Sequence, residues 1–149
     1  MLCRLAAAVA VAVALAACGG GPSGSAASQR AAVRRTVVTF MRELAAGNGT
    51  VACEGLTVGG ASSLAATLGP ELGNFGIDGC VQVVGVIGSG LSATLRGELD
   101  RATVGAVTLN GSNAAVRWSA LPRAVAAFFG SSKPIALVWE KGFWYLDGF

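Results

Sequence analysis

The sequence predicts an α+β domain, with N-terminal helices packed on a curved antiparallel sheet of two hairpins. Three observations predict it. Apolar residues between 29 and 46 recur with helical spacing, and those after Ala102 recur with a period of two. Two turn signals, Asn110-Gly111 and Lys141-Gly142, then divide the second region into hairpins. Helices first and strands last put the helices on one face of the sheet.

The chain opens with Arg4 and an apolar run of 13 residues, Leu5 to Ala17. That run is too short to cross a bilayer as a helix and suits the apolar region of an export signal. It ends in Leu15-Ala16-Ala17-Cys18, which resembles the lipobox of bacterial lipoproteins. The resemblance implies cleavage before Cys18, a diacylglyceryl group on its thiol, and a place at the cell membrane, lipid-anchored on the extracytoplasmic face. An ordinary secretory signal followed by a chance cysteine is the competing reading. Residues 1–17 are therefore expected to be signal, 18–28 a lipidated flexible tether with nothing to bury, and 29–149 the folded domain.

Within the domain, Val33, Val37, Phe40, Met41 and Leu44 form one stripe of a helix over about Gln29 to Ala46, and Gly47 is a natural residue to end it. Arg30, Arg34, Arg35 and Arg42 read as a solvated face of that helix, with contact to anionic lipid as the alternative. Short helices are expected over Val51–Leu56 and Ala61–Leu68. Gly69 to Gly79 reads as irregular. Cys80 to Ile87 is ambiguous, because its β-branched content favours strand, while the overall layout favours a helix ending near Gly88. The glycines of Gly69–Gly79 and Gly85–Gly90 imply a loose middle, and the latter lack the spacing and lysine of a phosphate loop. A polar linker follows, through Asp100 and Arg101. Strands are then expected over Ala102–Leu109 and Asn113–Ser119, a short helix or wide loop over Arg123–Phe129, and strands over Ile135–Glu140 and Phe143–Asp147. On the last strand, Trp144 and Leu146 share one side, which should pack on the helices, while Phe143, Tyr145 and Asp147 share the other.

Of the four cysteines, Cys3 leaves with the signal and Cys18 takes lipid, so Cys53 and Cys80 remain in the domain. Export to an oxidising compartment makes this pair a disulfide, with two inert buried thiols as the alternative. Closing a loop of about 28 residues stabilises the fold by roughly 3.5 kcal/mol in the chain-entropy model. A zinc site is disfavoured, since the chain has no histidine. No cofactor is expected. The net charge of +3 is weak and scattered, which argues against nucleic acid as a partner. Arginine outnumbers lysine nine to two, and with abundant Ala and Gly this suggests a GC-rich, actinobacterial genome.

The order of helix, turn, Ala52-Cys53 with Leu56-Thr57, a second cysteine, two hairpins and a final Gly142-Phe143-Trp144-Tyr145-Leu146 is similar to small actinobacterial lipoproteins with an NTF2-like domain, the cystatin-like α+β cone. The resemblance implies a pocket between the sheet and the first helix, and a superfamily that hosts isomerases, hydrolases and many non-enzymes. Dehydratase-like acid–base chemistry lacks its histidine here. An isomerase-like site would need Tyr145 together with a carboxylate such as Asp147. Asp100-Arg101 resembles the charge pair of epoxide hydrolases but falls in the polar linker. The expectation is a non-catalytic, membrane-tethered binding module for a small apolar molecule or an envelope protein segment, held by Phe40, Trp118, Phe143 and Tyr145. The alternatives are an isomerase or hydrolase using Tyr145 and a carboxylate, and a structural or regulatory envelope protein without a pocket.

Overall fold

The stripe of Val33, Val37, Phe40, Met41 and Leu44 is what the rest of the chain packs on, and all five residues are buried. The structure is a computed structural model that describes residues 21–68, 79–130 and 132–149. The expected signal segment, Cys18 and nearly all of the Gly69–Gly79 stretch lie outside the described residues.

Helix α1 spans Ala26–Ala46, starting three residues before the expected Gln29. The extension has a local cause: Ser25 is a good N-cap, and its Oγ accepts from the Ser28 N–H at 3.2 Å. Gln29 then reaches back, its Nε2 donating to the carbonyls of Pro22 at 3.2 Å and Gly24 at 3.0 Å. The last residues of the expected tether are thus tied to the helix start. At the other end Gly47 adopts φ 69°. Its N–H donates to Leu44 O and that of Asn48 to Glu43 O, the paired bonds of a Schellman motif.

Five further α-helices are present among the described residues: α2 Gly49–Glu54, α3 Val58–Leu68, α4 Cys80–Gly90, α5 Ala93–Asp100 and α6 Arg123–Phe129. The ambiguous Cys80–Ile87 segment is helical, because Val83, Val84 and Gly88 make one buried face against α1 and α2. The polar linker expected around Asp100 is a correction: it is helix α5, capped by Ser92 Oγ on Leu95 N–H at 3.2 Å and held by the fully buried Leu99. Cys53 and Cys80 form a disulfide with Cα atoms 6.0 Å apart, joining α2 to α4.

Four strands, β1 Val107–Asn110, β2 Asn113–Val116, β3 Ile135–Glu140 and β4 Phe143–Gly148, form one antiparallel sheet in the order β1-β2-β3-β4. The sheet is open, and the helices pack on one face of it. The first hairpin is shorter than expected, and its turn is Gly111-Ser112 rather than Asn110-Gly111, since Asn110 pairs with Asn113. The second turn, Lys141-Gly142, has φ of 49° and 89°, as a tight two-residue hairpin requires. Trp118 is another correction. Strand β2 stops at Val116, and Trp118 lies in a 3-10 turn, Trp118–Ala120.

A ring ladder crosses the core. Phe40 meets Phe149 at 5.2 Å between centroids, Phe149 stacks on Phe129 at 5.7 Å, and Phe129 stacks on Trp118 at 4.8 Å. Ser63 Oγ fixes Phe149 by accepting from its N–H at 3.0 Å. No helix among the described residues is long and apolar enough to cross a membrane.

Candidate functional site

β4 is the last strand of the sheet, so its outer edge must find partners elsewhere. Leu146 finds them: its N–H donates to Gly55 O and its carbonyl accepts from Thr57 N–H, each at 2.9 Å. Trp144 shares that outward polarity. Its cross-strand partner Trp139 donates its own N–H to Ser112 O at 2.7 Å, toward β2, so the pair exchanges no ladder bonds. The Trp144 carbonyl is met only by the Thr36 hydroxyl of α1, at 3.3 Å. Between the Thr36 contact and the Gly55 contact the edge is open.

A groove of about 950 Å³ occupies this gap, walled by α1, α2 and the β3–β4 hairpin. Its apolar surface comes from Phe40, Val51, Trp139, Phe143, Trp144 and Tyr145. Thr36 and Thr39 add hydroxyls, and Arg35 and Glu54 add the charges. Phe143 and Tyr145 lie on the opposite side of β4 from Trp144, yet all three border the groove because β4 is an edge. Trp139 and Trp144 meet edge to face at 5.6 Å, and the Trp144 indole N–H is buried with no hydrogen-bond partner. A buried donor left unpaired costs about 1–3 kcal/mol.

Of the residues expected to bind a ligand, the structure brings Phe40, Phe143 and Tyr145 together here. Trp118 is elsewhere, stacked on Phe129 with its indole N–H donating to the Lys133 carbonyl. Asp147, the carboxylate expected beside Tyr145, does not line the groove, and neither do Asp100 and Glu98. Asp147 accepts from the Thr57 hydroxyl, Asp100 lies 3.8 Å from Arg42 on an exposed surface, and Glu98 is on α5. Glu54, at the end of α2, is the carboxylate that does line it. No group of three His, Cys, Asp or Glu able to hold a metal ion occurs among the described residues.

The sequence did carry a signal for the two tryptophans. Trp139 and Trp144 stand two places either side of the Lys141-Gly142 turn, which makes them a cross-strand pair. Arg35 and Glu54 carried none, because their place depends on how α1 and α2 meet the sheet edge. No protein-family model matches this chain, and no curated protein or solved structure is significantly similar to it.

Proposed function

We propose that this chain is an extracytoplasmic lipoprotein, anchored through Cys18, whose NTF2-like domain binds a small apolar molecule in the groove between α1, α2 and β4. The observation that carries the reading is the groove itself. Its volume of about 950 Å³ is in the range of about 300–1,000 Å³ common for small-molecule sites, and its wall is aromatic with few polar groups. The helix-then-hairpins order and the position of the groove between the first helix and the sheet support the NTF2-like assignment. The disulfide between Cys53 and Cys80 supports export, since such bonds persist in oxidising compartments.

The ligand has an apolar body, which the rings of Phe40, Trp139 and Trp144 receive. Native mass spectrometry of the anchored protein, purified from its own host in mild detergent, tests this. A retained molecule of defined mass, released on denaturation, is the expected result. Turnover of an ester, epoxide or steroid-like compound that collapses in Tyr145→Phe would favour the isomerase or hydrolase reading instead.

A further inference from the structure

The two hairpin turns and the start of α1 lie at one end of the domain. Gly21, Pro22, Ala26 and Gln29 share a hollow with Leu109, Gly111 and Ser112, so the β1–β2 turn sits beside the chain's entry. Along α1, Thr36 meets Trp144 and Phe40 meets Phe149. β4 therefore runs in the same direction as α1, and its first residues, with the Lys141-Gly142 turn, lie toward the same end. That end exposes Arg30, Arg35, Lys141 and Phe143, and Phe143 is 66% exposed, more than any other aromatic residue described.

Charge is distributed unevenly along the domain. Glu140 is the one carboxylate on the β3–β4 hairpin at this end. The others among the described residues are farther along: Glu43 in the last turns of α1, Glu54 at the end of α2, Glu98 and Asp100 on α5, and Asp147 beside Thr57. The chain's path adds a geometric constraint. Gln29 ties Pro22 and Gly24 to the helix, and Cys18 is three peptide units before Gly21, a reach of at most about 11 Å.

We propose that this end of the domain is a membrane-docking surface, with Phe143 set among the headgroups of an anionic bilayer and Lys141, Arg30 and Arg35 facing its phosphates. The proposal rests on Cys18 being the lipid anchor. With so short a reach, the anchor holds this end at the surface at high effective concentration, so a weak contact suffices to orient the domain. An aromatic ring flanked by cations suits the interfacial layer, where the ring is partly desolvated while the cations stay with the phosphates. The groove, bordered by Arg35, Gly142 and Phe143, then opens onto the lipid, and its ligand is a membrane-resident amphiphile.

The test uses the full chain, produced with its signal, purified with its anchor and reconstituted into phosphatidylglycerol–phosphatidylethanolamine vesicles. Phe143→Cys carries an environment-sensitive nitrobenzoxadiazole label. Ser89→Cys, on the part of α4 that lies by the C-terminal end of α1, carries the same label as the distal control. The label at 143 should shift to the blue and be quenched by nitroxide-bearing lipid, while the label at 89 stays water-exposed. Lys141→Gln in the labelled protein should lower the ratio of docked to free end about fivefold, the effect expected of one cation near an anionic surface. Protein that floats with the vesicles while the label at 143 emits as in water overturns the docking and leaves the anchor standing. Protein that does not float, with no diacylglyceryl mass on the Cys18 peptide, overturns both.

Discussion

The two flanks of α1 are built on opposite principles. On one flank α4 comes so close to α1 and α2 that side chains are excluded: a Cβ on Gly88 would overlap the Gly47 backbone, and one on Gly49 would overlap Val81. The Cys53–Cys80 disulfide then fastens α2 to α4. On the other flank β4 packs its Trp144 and Leu146 into the core beside α1 and receives one hydroxyl bond from Thr36, and large rings border an open groove. The first flank is a scaffold with no spare volume. The second keeps space and exposed apolar surface, neither of which helps the fold. The difference teaches that the α4 flank of this helix serves stability alone, whereas the β4 flank combines buried core rings with the space that binding needs.

If that division holds, substitutions should sort by flank. Trp144→Ala should be the most severe, because the ring is almost fully buried and also borders the groove: about 3–5 kcal/mol of stability should be lost, measured by denaturant unfolding. Replacing Cys53 and Cys80 together by serine should cost about 3.5 kcal/mol, read from the same titration under non-reducing conditions. Two glycines on α4 sharpen the contrast. Gly88→Ala forces a methyl into the Gly47 backbone and should destabilise by about 1–3 kcal/mol. Gly85→Ala meets nothing within 4 Å and should stabilise the helix by about 0.5–1 kcal/mol. Equal effects at the two positions would mean that α4 does not approach α1 as described. Tyr145→Phe should change stability by less than about 0.5 kcal/mol and leave binding intact, because a ligand site of this kind uses the ring.

Much of this architecture was legible in the sequence, and the reasons are local. Helix α1 carries a stripe sustained over several turns, and the second hairpin combines strict alternation with a turn at Lys141-Gly142. Helix α5 was not legible: Gly97 interrupts it, and only Leu95 and Leu99 mark its apolar side. The first hairpin slipped by one residue, since Asn110-Gly111 and Gly111-Ser112 both supply a glycine able to take positive φ. The glycines of Gly85–Gly90 pointed to looseness, yet Gly88 marks one of the closest backbone approaches among the described residues. A glycine reads alike in sequence whether it loosens a chain or lets two backbones touch. The groove was only half legible. Its aromatic residues stand out, but its position follows from where the edge of β4 stops finding partners, a long-range property.

The claim that this open flank is a binding site is tested most directly by filling it. Val51 lines the groove and is 40% exposed, so Val51→Trp adds bulk there without entering the core. The probe is 1-anilinonaphthalene-8-sulfonate, titrated against the folded domain and the variant at matched thermal stability. Saturable binding at one probe per chain, lost in Val51→Trp while the melting temperature stays within a few degrees, is the predicted result. Equal binding by both proteins, or none by either, would contradict the account.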